Sequence, residues 1–173
     1  MRKKLALYFT FPYPNLKILK PFIDSIGNED IDYVELGIPV ARPYYDGPKI
    51  RNTHQAALKE FKSDDLKNTI LGLKDSGIKS YALTYTNSFE NNPNSAFEDL
   101  RLAGFDGVIL PDLLIDYFDD RNKLLDSLKN YEISFIPFFT SSTPDIIIKE
   151  FLKRTSSWIY HGIQPSTGIN VPV

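Results

Sequence analysis

The chain has 173 residues, of which 42% are hydrophobic and 24% are charged, and its formal net charge is −2. These values are typical of an ordinary globular domain and give no indication of a nucleic-acid or anionic-membrane partner. The absence of cysteine excludes a disulfide scaffold and a cysteine nucleophile and fits a reducing cytoplasm, and a histidine count of two argues against a multi-histidine metal site.

The N-terminal stretch MRKKLALYFTFPYP has a basic start and an apolar run, as a secretory signal peptide does. Its threonine, prolines and aromatic residues, and the lack of a small-residue cleavage site, favour a first strand over residues 5–11. Asn15 follows as the predicted cap of a helix over residues 15–26. No apolar run along the chain approaches the ~20 residues that a membrane-spanning helix needs.

Strand-like and helix-like segments alternate along the rest of the chain. Further strands are predicted at residues 31–38, 80–85, 108–110, 133–138 and 158–163. Further helices are predicted at residues 52–61, 64–75, 94–103, 119–128 and 144–153, with Pro48 as a breaker before the first and Thr143 as the cap of the last. The strands are mostly continuous apolar runs, as in parallel sheets covered on both faces. The pattern therefore predicts an α/β fold, either an open sheet or a (β/α) barrel.

Polar and aromatic side chains occur near the ends of the predicted strands, where parallel α/β folds bind their ligands. They include Tyr8, Glu35, Tyr85, Asp112, Thr140 and Tyr160. No glycine-rich turn follows the first strand, which argues against a dinucleotide site. Glu35 and Asp46 could perform proton transfer on an aromatic substrate, because burial raises a carboxyl pKa and favours an acid role. The residues alone indicate a barrel-like enzyme with paired carboxylates.

Three motifs of the chain resemble those of the tryptophan synthase alpha chain family. VELGIPVARPYYDGPKI, residues 34–50, is similar to the family signature E-L-G-[IV]-P-x-x-D-P-x-x-D-G-P-x-I and is the most specific of the three. GFDGVILPDLLIDY resembles the fourth-strand motif, and PSTGINVPV resembles the loop after the sixth strand. The motifs occur in the family's order over nearly the whole chain, and YFTFPYPN looks most like archaeal members.

The resemblance implies a (β/α)8 TIM barrel that cleaves indole-3-glycerol phosphate to indole and glyceraldehyde 3-phosphate. This is a retro-aldol lyase reaction of tryptophan biosynthesis, with no cofactor expected in this chain. Glu35 would be the general acid and base, which protonates the ring carbon bearing the side chain and takes the proton of the glycerol hydroxyl. Asp46 would accept a hydrogen bond from the indole N–H and stabilise the positive charge of the protonated ring.

The resemblance also implies a substrate pocket. The positions that match the indole pocket are Tyr8, Ile50, Leu83, Tyr85, Ile109 and Tyr160, although ordinary strand core explains Leu83 and Ile109 equally well. Gly168 matches a glycine whose N–H binds the substrate phosphate, and Thr167 matches a threonine of a closing loop. Asp112 matches an aspartate near the subunit contact, and we expect it to be structural or to serve communication between subunits.

The family works with a beta chain that carries pyridoxal phosphate, so the resemblance implies an alpha2beta2-type heterotetramer in the cytoplasm. Arg42 stands where the family usually has an acidic residue that pairs with a beta-chain lysine. Tyr13 stands where an aspartate is common. Both departures affect the expected signalling between subunits more than the chemistry.

The barrel, as a single domain over residues 1–173, is expected to be incomplete. Eight strand–helix units typically take ~250 residues, and the sequence carries about six of them, with strands seven and eight expected to be absent. We therefore expect weak or no catalysis by the chain alone and a tendency to aggregate.

Two alternatives remain beside this interpretation. One is a related phosphate-binding barrel lyase with another small substrate, against which the Asp-Gly-Pro loop at residues 46–48 argues. The other is a noncatalytic or degenerate interaction subunit, which the loss of Glu35 and Asp46 would favour. Both carboxylates are present.

Overall fold

The computed structural model describes residues 2–27, 29–89, 92–114, 116, 119–155 and 157–163. The strands within them are β1 (Ala6–Thr10), β2 (Tyr33–Gly37), β3 (Lys79–Leu83), β4 (Gly107–Ile109), β5 (Ser134–Ile136), β6 (Phe138–Thr140) and β7 (Tyr160–Gly162). The α-helices are α1 (Leu16–Ile26), α2 (Pro48–Leu58), α3 (Ser63–Asp75), α4 (Pro93–Ala103), α5 (Arg121–Leu128) and α6 (Asp145–Leu152). This alternation confirms the predicted α/β class. Among the described helices, none combines the length and apolar character needed to cross a membrane.

Five strands form one parallel sheet in the order β1-β2-β3-β4-β5, and β6 and β7 form a second parallel pair. Each strand of the larger sheet lies beside the next one along the chain, which is the arrangement of a partial (β/α) barrel. The register pairs Tyr8 with Glu35, and Glu35 with Tyr81. Because residues paired in register point to the same face of a sheet, these three side chains form one row.

The predicted strand over residues 133–138 is wrong in its extent, because it is two strands separated by Pro137. Proline has no N–H to donate to a strand ladder, and the pairing of β5 with β4 ends at Ile136. The Pro137 carbonyl oxygen accepts a hydrogen bond of 2.9 Å from the N–H of Tyr160, next to the pairing of β6 with β7. The described residues therefore hold seven strands, not the six that the sequence predicts.

The helix predicted over residues 52–61 begins and ends earlier, as α2. Pro48 is its first residue and not a breaker of the preceding loop. The first helical turn needs no N–H donor, and the fixed φ of proline suits that position. The earlier start matters for the site, because it places the helix N-terminus directly after Asp46.

Of the two predicted helix caps, one is confirmed and the other is wrong. The Asn15 side chain accepts a hydrogen bond from the N–H of Ile18, which confirms the cap of α1. The predicted Thr143 cap of α6 is wrong, because Pro144 occupies the N-cap position. Thr143 Oγ1 accepts a hydrogen bond of 2.9 Å from the N–H of Thr140 and so closes the turn after β6.

Alternate strand residues pack on opposite faces of the larger sheet. The face toward the helices belongs to the larger apolar core, whose buried residues include Val34, Leu36, Ala82, Val108, Ile23, Leu73 and Phe97. The other face carries a smaller buried cluster, here called the inner cluster, made of Tyr81, Leu83, Ile109 and Ile136. The side chains packed against the inner cluster are those of Tyr8, Tyr33, Phe138, Trp158 and Tyr160. The inside of the partial barrel is therefore rich in aromatic rings.

Replacing Phe97 of α4 with alanine should lower the free energy of unfolding by about 3–5 kcal/mol, because it opens a cavity in the helix-side core. Phe97 is fully buried, and its ring centroid lies 5.1 Å from that of Phe89. The control is Leu102→Ala on the same helix, where Leu102 is 54% exposed. Urea unfolding measures both variants, and equal effects would contradict the assignment of Phe97 to the core.

Candidate active site

Glu35 lies in the middle of β2 and is 4% exposed. Its neighbours in the sheet are two aromatic residues, Tyr8 and Tyr81. Trp158 stacks on Tyr33 at 5.8 Å between ring centroids and meets Tyr81 edge-on at 5.2 Å, so that aromatic rings surround this part of the interior. Burial raises the pKa of Glu35 from 4.5 to about 7. Such a carboxyl is present in both its acid and its base form near neutral pH.

Asp46 lies in the loop between β2 and α2, immediately before Gly47, the N-cap of α2. It is 7% exposed, and its Oδ2 accepts a hydrogen bond of 2.9 Å from the hydroxyl of Tyr85. Burial, and after it the charge of Asp46, raises the pKa of Tyr85. The phenol therefore stays protonated and remains a donor. Because Tyr85 follows β3, this bond joins the segments after β2 and β3 at the carboxyl edge of the sheet.

The two carboxylates act on the same phenols. Burial raises the pKa of Tyr8 to about 12, and the charges of Asp46 and Glu35 add to the increase. Burial also raises the pKa of Tyr160, again with contributions from Glu35 and Asp46. Tyr8 on β1 and Tyr160 on β7 are therefore close enough to both carboxylates to be affected by their charges, and both rings pack against the inner cluster.

Two residues of α2 fix the loop that carries Asp46, and neither is among the predicted site residues. Arg51 donates from Nε to the carbonyl of Asp46 at 2.6 Å and from Nη2 to the carbonyl of Tyr44 at 2.8 Å. His54 is fully buried, and its Nδ1 accepts a hydrogen bond of 3.1 Å from the N–H of Val40. Their spacing of three residues along one helix face is the sequence signal that could have indicated them.

A series of hydroxyl groups orients Tyr8. Its phenol lies 3.1 Å from Thr10 Oγ1, which lies 2.8 Å from Oγ1 of Thr53 on α2. Thr53, also absent from the predicted site, donates to the carbonyl of Ile50 at 2.7 Å. Gly37 leaves the room that the phenol needs, because a Cβ there would overlap the Tyr8 hydroxyl and lie 2.9 Å from Cζ of Tyr8.

Four of the predicted pocket residues lie together inside the partial barrel. Leu83 and Ile109 are buried in the inner cluster, and Tyr8 and Tyr160 pack against it. His161, which neighbours Tyr160, is exposed. This placement favours Tyr160 over His161 as the residue of its strand that faces the pocket.

Three further predicted positions are not part of the inner cluster or its neighbours among the described residues. Ile50 is half-buried in the first turn of α2, on the element that also carries the loop anchors. Thr167 and Gly168 lie outside the described residues. The binding of a substrate phosphate by Gly168 and the place of Thr167 in a closing loop therefore stay predictions.

Asp112 follows β4 and ties it to the segment after β3. Its two carboxylate oxygens lie 3.0 and 2.9 Å from the backbone N of Thr86 and accept its N–H, and Oδ2 also accepts the Thr86 hydroxyl. Burial raises the pKa of Asp112, while the hydrogen bonds from Thr86 lower it. These bonds support a structural role, because both oxygens of Asp112 are used within the protein.

The arrangement can perform acid–base chemistry on a ligand held between Glu35 and Asp46. Glu35 can deliver and accept a proton near neutral pH. Asp46 precedes the N-terminus of α2, where the helix dipole favours a negative charge, and it can accept a hydrogen bond from a polar N–H. No cluster of three or more histidine, aspartate or glutamate side chains suited to a metal ion occurs within the described ranges.

The sequence and the structure are similar to those of one group of proteins. The sequence model of the family described as tryptophan synthase alpha chain matches residues 1–170. The tryptophan synthase alpha chain of Saccharolobus solfataricus is 34% identical over 174 residues, which cover 100% of this chain and 69% of that protein. The corresponding protein of Sulfurisphaera tokodaii is 33% identical over 177 residues, which cover 100% of this chain and 70% of that protein.

Solved structures show the same fold. A chain from Aquifex aeolicus superposes with a TM-score of 0.81 at 26% identity, covering 94% of this chain and 65% of its own length. The aminoacrylate-bound tryptophan synthase of M. tuberculosis gives a TM-score of 0.80 at 22% identity, over 95% of this chain and 66% of that one. The present chain thus spans about two thirds of the length of the proteins it matches.

Glu35 should make the stability of the protein fall as pH rises. The folded-state pKa of about 7 exceeds the ordinary 4.5, so the folded state binds more protons than the unfolded state between these values. The resulting stability is present below pH 4.5 and is lost as pH rises through 7. Glu35→Gln should remove this loss, and its free energy of unfolding at pH 8 should exceed that of the wild type by up to about 3 kcal/mol.

Urea unfolding at pH 5 and pH 8 measures this difference, with Glu60→Gln at an exposed position as the control. If wild type and Glu35→Gln lose the same stability between the two pH values, the Glu35 pKa is not raised.

Gly37→Ala should destabilise the protein by about 1–3 kcal/mol, because the new methyl group overlaps the Tyr8 phenol and forces the ring or β2 to shift. Gly72→Ala is the matched control, since a Cβ at Gly72 meets nothing within 4 Å. That change should stabilise α3 by about 0.5–1 kcal/mol. Thermal unfolding of both variants measures the effects, and a neutral Gly37→Ala would mean that Tyr8 does not lean over Gly37.

Proposed function

The chain belongs to the tryptophan synthase alpha chain family, and on that premise we propose that it cleaves indole-3-glycerol phosphate to indole and glyceraldehyde 3-phosphate. The observation that carries the proposal is a buried carboxyl of raised pKa, Glu35, beside a second buried carboxylate, Asp46, whose charge acts on the same two tyrosines, Tyr8 and Tyr160. Nothing in the comparisons favours a noncatalytic subunit or another barrel lyase.

Glu35 acts twice in this reaction. As an acid it protonates the indole carbon that bears the side chain, which makes the ring a leaving group. As a base it then takes the proton of the adjacent glycerol hydroxyl, so that the carbon–carbon bond breaks to give indole and the aldehyde. The carboxyl ends the cycle protonated, as it began. A pKa of about 7 suits this double role, because neither form is strongly disfavoured at neutral pH.

Asp46 binds the indole ring at its N–H group. Its carboxylate accepts the indole N–H and stabilises the positive charge that develops when Glu35 protonates the ring. The Tyr85 hydroxyl, which donates to Oδ2 at 2.9 Å, holds this carboxylate in place. Water is largely excluded from both acids, since each is less than 10% exposed, and exclusion strengthens the electrostatic interaction with the charged ring.

The pocket that we propose for the indole ring is formed by Tyr8, Leu83, Tyr85, Ile109, Tyr160 and Ile50. Leu83 and Ile109 offer apolar contact, and Tyr8 and Tyr160 add aromatic rings to the same cluster. Gly168 is proposed to bind the substrate phosphate through its N–H, and Thr167 is proposed to belong to a closing loop and to contact the catalytic aspartate, Asp46. The reaction needs no cofactor in this chain.

The expected partner is a tryptophan synthase beta chain, which would carry the pyridoxal phosphate and use the indole in the cytoplasm. An alpha2beta2-type complex is the proposed assembly. Arg42 and Tyr13 are exposed on loops that follow β2 and β1, at the carboxyl edge of the sheet. Because the family usually has acidic residues there, signalling between the subunits is expected to differ in this protein.

Glu35→Gln should lower the rate of indole release by at least about 100-fold, because an amide keeps the shape of the side chain but cannot transfer the proton.

Asp46→Asn should lower kcat/KM by about 10–100-fold, since the amide loses the negative charge that stabilises the protonated ring. Indole formation from indole-3-glycerol phosphate measures both effects.

The assay is run with the chain alone and with a beta chain added, because the partner can raise a weak basal rate. Glu60→Gln, which changes an exposed carboxylate, is the control and should keep the wild-type rate. Indole release that continues at the same rate in Glu35→Gln would rule out the acid–base role of Glu35.

A further inference from the structure

His54 is a buried titratable residue that the proposed reaction does not use. It lies in α2, its side chain is 0% exposed, and its Nδ1 accepts the N–H of Val40 at 3.1 Å. Its Nε2 has no hydrogen-bond partner among the described residues. A buried polar atom without a partner is costly, so its retention calls for a physical reason.

The hydrogen bond at Nδ1 decides where the imidazole proton lies. A nitrogen that accepts a backbone N–H cannot itself carry a proton, so the neutral ring must be protonated at Nε2. Burial lowers the pKa of His54, while the charge of Asp46 opposes this. The ring is therefore neutral at pH 7, and Nε2 is an N–H donor.

That donor faces the proposed substrate site. Nε2 lies 3.8 Å from Oδ2 of Asp46, the oxygen that also accepts the Tyr85 hydroxyl. This separation exceeds an ordinary N–H···O distance by about 0.8 Å. A small movement of the loop or of the ring would therefore complete the bond.

We propose that His54 is a positioning residue for Asp46, with the Val40 N–H setting its tautomer and the Nε2 proton holding the carboxylate in the orientation that receives the substrate N–H. One helical residue thereby couples both ends of the loop, Val40 and Asp46, to α2. The inference rests on the proposed role of Asp46 in binding the indole N–H. Its physical core, the coupling of His54 to Asp46, is independent of that role.

Two substitutions separate the functions of the two ring nitrogens. In His54→Asn the amide oxygen can accept the Val40 N–H, but no donor reaches the Nε2 position. In His54→Gln the longer side chain can place an amide N–H near the Nε2 position. We expect kcat/KM for indole release to fall about 10-fold or more in His54→Asn and to return to within about 3-fold of wild type in His54→Gln.

A double-mutant cycle tells positioning from general structural support. In an Asp46→Asn background, His54→Asn should have little further effect on kcat/KM, because its partner is already lost. Equal losses in His54→Asn and His54→Gln, or additive losses in the cycle, would overturn the proposal.

Nitrogen-15 NMR of the imidazoles tests the coupling without any assay of activity. The chain has two histidines, so the His54→Asn spectrum assigns the His54 signals. We expect the Nε2–H tautomer, and an Nε2 signal that shifts in Asp46→Asn but not in Glu60→Gln. An Nδ1–H tautomer, or a signal unaffected by Asp46→Asn, would overturn the inference. If the wild type releases no indole even with a beta chain added, the proposed function fails, and the NMR result still decides whether His54 and Asp46 are coupled.

Discussion

The register of β1, β2 and β3 is the constraint on which the rest of the site depends. It pairs Tyr8 with Glu35 and Glu35 with Tyr81, so that a carboxyl lies in a row of aromatic residues inside the partial barrel. A slip of one residue would turn Glu35 toward the helices and bring Val34 or Leu36 inside. The apolar residues on either side of Glu35 oppose that slip, because both are fully buried in the helix-side core. Hydrophobic packing on one face thus holds the titratable group on the other.

The environments of the two acids differ. Glu35 is on a strand, where burial raises its pKa to about 7. Asp46 is on a loop, accepts the Tyr85 hydroxyl and precedes the N-terminus of α2. In the proposed reaction the first group exchanges protons and the second accepts a polar N–H of the substrate. Different environments allow two carboxyl groups of one site to take different roles.

Side chains of α2 hold the loop between β2 and α2 by hydrogen bonds to its backbone. Arg51 donates to the carbonyls of Tyr44 and Asp46, and His54 accepts the N–H of Val40. Loops with proline and aromatic residues have many possible conformations, and fixing one costs entropy. Anchors from the following helix offset that cost and place Asp46 near the end of β3. The helix therefore acts as part of the site, although Ile50 is its single residue among the predicted pocket positions.

The sequence by itself determined the alternation of strands and helices, the Asn15 cap, and the identity of the two acids through their resemblance to a family signature. These features are local, since propensity, capping and short motifs are read within a few residues. The sequence placed the start of α2 and the extent of the fifth strand wrongly. In both cases the structural effect of a proline depends on its neighbours. Pro48 begins a helix, whereas Pro137 interrupts a strand.

Only the tertiary structure decided that Tyr85 binds Asp46, that Gly37 leaves space for Tyr8, and that His54 and Arg51 anchor the loop. It also decided that burial raises the pKa of Glu35, because desolvation depends on side chains from several strands that are distant in sequence. A sequence motif can indicate which residue is a candidate acid. The proton affinity of that acid, and the groups that hold its partner, are set by contacts that form only when the strands pair and the helices pack against them.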